Sequence, residues 1–192
     1  MVSADGGKLQ EPVQWPGWLG APNWASRGNE LVFGENGPYF PIPATCSLHV
    51  FDFRSGKITG LPGTTGLWTA RTCPTGRYIA AMTRDNRGLV LYNRRTAALT
   101  ELFGSGQGQL GDNPTWSADG RFVYIDAPFS KDPAVYRIRI ADRRIERVAG
   151  LSGIRRVTGG VGLWIGLTPD GSLLTLREMQ GTEIYAWDWT ES

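Results

Sequence analysis

The sequence predicts an all-β fold built from short strands, on three observations. Turn-forming residues are abundant, with 26 glycines and 12 prolines among 192 residues. A unit of turn followed by apolar strand recurs along the chain. No segment sustains a helical period. That many glycines and prolines cannot lie inside helices, so the chain must reverse direction often.

The recurring unit sets the architecture. Its four copies are Trp24-Ala25-Ser26-Arg27-Gly28 before Leu31-Val32-Phe33, Thr72-Cys73-Pro74-Thr75-Gly76 before Tyr78-Ile79-Ala80, Trp116-Ser117-Ala118-Asp119-Gly120 before Phe122-Val123-Tyr124, and Leu167-Thr168-Pro169-Asp170-Gly171 before Leu173-Leu174. The glycines Gly28, Gly76, Gly120 and Gly171 stand 48, 44 and 51 residues apart. A period in the forties with several short strands per unit is the signature of a β-propeller blade. The expectation is a β-propeller of about four four-stranded blades, or a fragment of a larger propeller, as a single domain over residues 1–192. Residues 1–19 supply an outer strand and a connection, and the blades occupy 20–66, 67–111, 112–161 and 162–192.

Within each blade an inner strand precedes the turn: Ala21 to Trp24, Trp68 to Arg71, Asn113 to Trp116, and Leu163 to Leu167. Glycine then takes the positive-φ position of the hairpin. Third strands are expected at Leu48 to Phe53, Leu89 to Tyr92, Val135 to Ile140 and Ile184 to Trp189. They are apolar at nearly every position, as befits strands covered on both faces. Outer strands are expected at Lys57 to Leu61, Ala98 to Leu102, and Arg144 to Val148. The last blade lacks an outer strand, and Lys8 to Val13 is expected to supply it, pairing with Ile184 to Trp189 and sparing an open edge.

The motif resembles the TolB-type, WD-repeat-like propeller pattern Trp-Ser-Pro-Asp-Gly-(Lys/Arg)-aromatic-Ile-Ala-Phe, with Trp116 to Tyr124 its nearest copy. Val2 to Leu9, Gly153 to Arg156 and Glu183 to Trp189 are similar to the C-terminal propellers of bacterial CadC-like winged-helix regulators and Ser/Thr kinases. The resemblance implies a piece of a longer protein and a periplasmic or extracytoplasmic setting. It also implies a sensory or protein-interaction role. The alternative is an accessory propeller of an exported hydrolase, or a TolB-like envelope scaffold. Fold alone does not choose, because propellers host many functions.

Composition narrows the chemistry. Twenty basic and 18 acidic side chains leave a net charge of +2, too little to argue for nucleic acid, and no direct nucleic-acid binding is expected. No apolar run reaches membrane-span length and the opening residues do not read as a signal peptide, so membrane contact is expected only through a parent segment. Gly106-x-Gly108-x-x-Gly111 matches a dinucleotide fingerprint, but an inner strand and not a helix comes after it, so it reads as a connection between blades. His49 is the single histidine and lies inside a strand, where a structural role outweighs catalysis. No Gly-x-Ser-x-Gly elbow is present. The expectation is a chain that is not an enzyme and holds no cofactor or metal. Cys46 and Cys73 fall on opposite sides of the ring and are expected to remain unbridged.

Two surfaces remain. Arg54, Lys57, Arg94, Arg95, Arg143 and Arg144 recur at one turn of successive blades, with Arg27, Arg77 and Arg121 nearby. Such a basic rim could meet an acidic partner or lipid headgroups, though a solvated turn offset by Asp119, Asp142 and Asp170 is the plainer reading. Asp119 and Asp170 are themselves expected to brace their turns by accepting main-chain hydrogen bonds. The opposite side carries the longer connections, where binding residues concentrate. Trp15, Trp18, Tyr39, Phe40, Phe129, Arg155 and Arg156 lie there, and aromatic and arginine side chains commonly anchor interfaces. They form the candidate surface for a protein or small ligand. Self-association through an open blade edge is a further expectation. Trp24, Trp116 and Trp164 are expected to pack between blades, while Trp15 and Trp18 could serve either purpose.

Overall fold

The chain folds as the repeat predicts, into successive antiparallel β-sheets stacked as the blades of a propeller. The structure, a computed structural model, describes residues 5–20, 22–25, 28–36, 42–104, 106, 108–156 and 163–179. Blade 1 comprises β1 (Trp18–Leu19), β2 (Asn23–Trp24), β3 (Glu30–Asn36), β4 (Leu48–Asp52) and β5 (Lys57–Gly60). Blade 2 comprises β6 (Leu67–Thr72), β7 (Tyr78–Thr83), β8 (Leu89–Asn93) and β9 (Leu99–Phe103). Blade 3 comprises β10 (Thr115–Trp116), β11 (Phe122–Ala127), β12 (Ala134–Arg139) and β13 (Ile145–Gly150). The described part of blade 4 is the hairpin β14 (Ile165–Leu167) and β15 (Leu173–Thr175).

The hairpin turns repeat almost atom for atom. Gly28, Gly76, Gly120 and Gly171 all have positive φ, between 67° and 87°. Each donates its N–H to a carbonyl three residues back, on Ala25, Cys73, Ser117 and Thr168, at 2.9 Å every time. Side chains reinforce the turn. The Phe122 N–H donates to Ser117 Oγ at 3.0 Å, Ser172 to Thr168 Oγ1 at 2.9 Å, and Tyr78 to Cys73 Sγ at 3.2 Å. Cys73 thus occupies a hydroxyl position in a repeated turn. Asp119 and Asp170 accept from the N–H groups of Arg121 and Ser172, as the turn chemistry predicts.

Alternation along the second strands builds the core, because successive strand residues face opposite sides. Ile79 and Ala81 pack toward Val32, Leu48 and Val50 of blade 1, whereas Ala80 and Met82 pack toward Val123, Ile125 and Ile138 of blade 3. Tyr124 and Val135 in turn meet Ile165, Leu167 and Leu173 of blade 4. Polar links tie the inner strands together. Asn23 Oδ1 accepts from the Thr72 N–H at 2.8 Å, and Trp116 Nε1 donates to the Arg71 carbonyl at 2.8 Å.

Several expectations are corrected. Lys8 to Val13 forms no strand; the segment runs as irregular chain, and its expected partner, residues 184–189, lies outside the described residues. From Val13 onward the chain packs on the outer face of blade 1. Val13, Trp15 and Leu19 cover Leu31, Phe33 and Phe51, with the Trp15 ring edge-on to Phe33 at 5.7 Å. That face has no preceding blade to bury it among the described residues, so apolar residues of the same chain take its place. Trp24 and Trp164 do not bury between blades: they are 49% and 37% exposed, and Trp24 stacks on Phe53. The buried tryptophan is Trp68 instead, 5% exposed in the cluster that holds Met82 and Leu89 of blade 2 and Ile125 of blade 3, with its Nε1 donating to Asn86 Oδ1 at 2.9 Å.

Candidate functional site

The long-connection end of blades 3 and 4 is built by two loops locked to each other. The β11–β12 connection turns sharply after Ala127, whose carbonyl accepts from Ser130 Oγ at 3.0 Å. Pro128 and Pro133 bracket it and set its φ values. After β13 the Leu151 N–H donates to the Pro133 carbonyl at 2.7 Å, closing one loop on the other. Arg147 pairs with Asp132 at 3.0 Å across the same junction. Beyond it, Arg155 pairs with Glu178 at 3.4 Å, and an isolated bridge joins Arg156 to Arg177.

Between these loops lies a cavity of about 300 Å³, lined by Pro128, Phe129, Pro133, Leu151, Ser152, Gly153, Ile154, Arg156 and Leu163. Phe129 and Ile154, 60% and 37% exposed, stand at its rim. Arg156 marks its buried end, with a side chain only 6% exposed. Its Nη1 donates to Asp126 Oδ2 and its Nη2 to the Trp164 carbonyl at 2.9 Å. Arg156 Nε has no acceptor, and Asp126 Oδ1 has no donor, among the described residues.

The charges behind the cavity form a connected set. Asp126 is fully buried, and burial pushes its carboxyl above the usual range even though Arg156 pulls the other way. Asp112 is likewise raised by burial, and the Arg71 guanidinium is lowered by it. Asn113 bridges the two: it accepts from Arg71 Nη2 at 2.8 Å and donates to Asp112 Oδ1 at 2.6 Å. Gly111 lets this set close up, since a Cβ there would fall 1.9 Å from Asp126 Oδ1. The glycine-rich run that mimics a phosphate loop therefore serves close packing at its last position.

Of the residues expected on this side, the structure brings Phe129 and Arg156 to one cavity, while Arg155 is outside its lining and pairs with Glu178. Trp15 is part of the blade 1 packing. Trp18 is 63% exposed on β1, which pairs with the end of β3 and so belongs to blade 1, not to the cavity. Tyr39 and Phe40 lie outside the described residues. Sequence reasoning missed Asp126, Ile154 and Leu163. Asp126 carried a usable signal, as the single charge in the run Phe122 to Ala127.

His49 has polar company, but not a relay. Its Nε2 lies 2.7 Å from Glu35 Oε1 and 3.1 Å from Ser47 Oγ. A Ser-His-acid relay needs the two partners on opposite ring nitrogens, and here both sit on one. The ring packs against Trp15 and Phe33. Among the described residues, no three His, Cys, Asp or Glu side chains converge as metal ligands. On the basic rim, Arg121 pairs with Asp119, Arg144 with Glu146 and Arg94 with Glu30, so these three of its charges are locally offset, and Arg27 lies outside the described residues. Cys46 and Cys73 are buried and unbridged, in connections at opposite ends of their blades.

No family model and no curated protein matches this chain. Solved structures do, at low identity. TolB from Acinetobacter baumannii aligns with a TM-score of 0.69 at 13% identity, over 94% of this chain and 43% of that one. An oligogalacturonate lyase in complex with manganese aligns at 0.60 and 16% identity, over 92% of this chain and 57% of that one. A nidogen/laminin complex aligns at 0.60 and 10% identity, over 84% and 65%. The chain thus spans less than two thirds of each of these structures. What they share with it is the β-propeller fold.

Proposed function

We propose that this propeller is a non-catalytic interaction module, and that its partner engages the long-connection end of blades 3 and 4. The observation that carries this reading is the cavity between two mutually locked loops, with an exposed Phe129 at its rim and a buried Arg156 at its end. Binding residues on loops held by a rigid scaffold are the usual arrangement of an interaction surface, and aromatic and arginine side chains supply its anchors. The His49 geometry, with both partners on one nitrogen, supports the non-catalytic half of the proposal. The sequence resemblance to C-terminal propellers of bacterial regulators and kinases favours a sensory or docking role in an extracytoplasmic region. The likeness to TolB gives the second reading, an envelope scaffold, and that reading would use the same surface.

The test is site-specific photo-crosslinking in the parent bacterium. A crosslinking residue at Ser152 should give a discrete protein adduct, and one at Arg95 on the opposite rim should give none. Adducts from Arg95 alone would reassign the binding face to the basic rim and end this reading.

A further inference from the structure

We infer that blade 3 carries a second site, at the turn end opposite the long connections, that binds a small organic acid with an apolar body and one carboxylate. The site goes beyond the interaction reading above and does not depend on it.

A cavity of about 530 Å³ opens there, lined by Gly120, Arg121, Phe122, Arg139, Ile140 and Ala141. Small-molecule pockets run from roughly 300 to 1,000 Å³. Phe122 pairs with Arg139 across β11 and β12, and the Ile140 N–H donates to the Arg121 carbonyl at 2.9 Å, so two strand ends form one wall. The half-buried Phe122 and Ile140, with Ala141, offer carbon to an occupant.

The main-chain donors of this wall are already engaged. Besides Ile140, the N–H groups of Gly120 and Arg139 donate to the carbonyls of Ser117 and Arg144, that of Arg121 to Asp119 Oδ1, and that of Phe122 to Ser117 Oγ. A peptide strand is held mainly by main-chain hydrogen bonds, and these five groups have none to give it. The donors that the cavity does present are guanidinium N–H groups, and both guanidiniums meet solvent. Among the described residues Arg121 engages only its Nε, with Asp119 at 2.6 Å, and its side chain is 74% exposed. The Arg139 side chain is 39% exposed and reaches Asp142 and Glu146 only at 3.3 and 3.4 Å. A planar fork of N–H donors matches a carboxylate.

Charge around the cavity is in cationic excess. Glu146 alone serves three guanidiniums, Arg137 at 2.7 Å and Arg139 and Arg144 at 3.4 Å each. With Arg121 and Arg143 included, five guanidiniums stand among three carboxylates, those of Asp119, Asp142 and Glu146, and Arg143 has no carboxylate at ion-pair distance among the described residues. Arg143 also has a φ of +59°, at the turn position where blades 1 and 2 have the small residues Gly56 and Ala97. The three N–H groups donate alike, to Arg139, Asp52 and Asn93 at 2.8 Å. A long side chain held in the left-handed region is strain of the kind that gathers at ligand sites. A neutral ligand leaves the cationic excess unanswered, and a small inorganic anion leaves the carbon wall in water. One acid group on an apolar body meets both conditions.

The experiment titrates the full chain with 4-phenylbutyrate while following backbone amides by NMR. A saturable shift confined to residues 120–122 and 139–144 is expected. The neutral 4-phenylbutanamide and the bodiless acetate should each bind about tenfold more weakly. Added salt should weaken 4-phenylbutyrate several-fold, because the guanidiniums are exposed. Arg139→Gln should weaken it about tenfold and Arg121→Gln several-fold. Should Arg139→Gln not fold, Arg121→Gln with Arg143→Gln changes exposed turn positions only and should give the same loss. No saturable shift, equal binding of the amide or of acetate, or arginine variants of unchanged affinity would each overturn the inference. So would tighter binding of a blocked Glu-Phe-Glu peptide, which would assign the cavity to an acidic protein segment. Co-sedimentation with phosphatidylglycerol vesicles and no shift with 4-phenylbutyrate would overturn it in favour of a membrane surface. None of these results bears on the Ser152 crosslink, so the two readings fail separately.

Discussion

Arg156 and Asp126, thirty residues apart in sequence, form a buried ion pair that ties the connection into blade 4 to the second strand of blade 3. Removing one partner leaves the other charged and desolvated. Asp126→Ala or Arg156→Ala should therefore cost about 3–5 kcal/mol in chemical denaturation, and replacing both together by apolar residues of similar volume should cost much less. Equal losses in the single and double variants would mean that the pair is not the source of the cost.

Gly34 sits where blades 1 and 2 approach very closely. A Cβ there would lie 1.5 Å from the Trp68 carbonyl oxygen, an atom that cannot swing aside. Gly34→Ala should destabilise by about 1–3 kcal/mol or prevent folding, as over-packing does. A melting temperature equal to that of the parent chain would show that the blades separate without penalty.

The opposite substitution should help at Ala97. Its φ of +57° puts a side-chain-bearing residue in the left-handed region, where the equivalent turn of blade 1 has Gly56 at +66°. Ala97→Gly relieves that strain but adds freedom to the unfolded chain. The net gain should be about 0.5 kcal/mol, read from denaturation midpoints.

Acid should loosen the turns. The Ser117 hydroxyl, then the Arg121 N–H, hold the Asp119 carboxyl at about 2, below its usual 3.8. Asp170 is lowered in the same way by the Thr168 hydroxyl, and Asp85 by that of Thr83. A group with a depressed folded-state pKa stabilises fully above its unfolded value and loses that contribution as pH falls toward the folded one. Stability from these aspartates should thus be present above the usual carboxylate value and drain away toward pH 2. Asp126 and Asp112, raised by burial, act in the opposite sense. NMR titration of Ser117→Ala should show Asp119 moving back toward its ordinary value; an unmoved titration would contradict the assigned cause.

The N-terminal segment should divide sharply at Val13. Leu9 is 68% exposed, and Leu9→Ala should leave the thermal melt unchanged. Trp15 contacts Phe33 and His49, and Trp15→Ala should cost about 2 kcal/mol, less than a fully buried tryptophan would. Equal effects at the two positions would mean that the cover over blade 1 is not formed in solution.

The repeat was legible because its causes are local. A turn needing positive φ selects glycine, and a hydroxyl or carboxylate beside it satisfies exposed N–H groups. These needs recur in every blade, so Gly28, Gly76, Gly120 and Gly171 announce themselves. Phe129, Arg155 and Arg156 were legible as loop residues, but nothing in their spacing says that Phe129 and Arg156 meet at one cavity and Arg155 does not. Trp24 shows the limit from the other side: a tryptophan in the repeat motif reads as core, yet it lies half exposed on Phe53.

By itself the sequence determined the all-β class, the blade period, the turn chemistry and which side carries long connections, since each depends on residues within a few positions of one another. Tertiary structure alone decided that Trp15 covers blade 1, that Asp126 pairs with Arg156, and that Arg156 Nε is left without an acceptor among the described residues. Those outcomes depend on which surfaces a stack of sheets leaves uncovered. That is a property of the packed whole, because burial and desolvation are set by every neighbour at once.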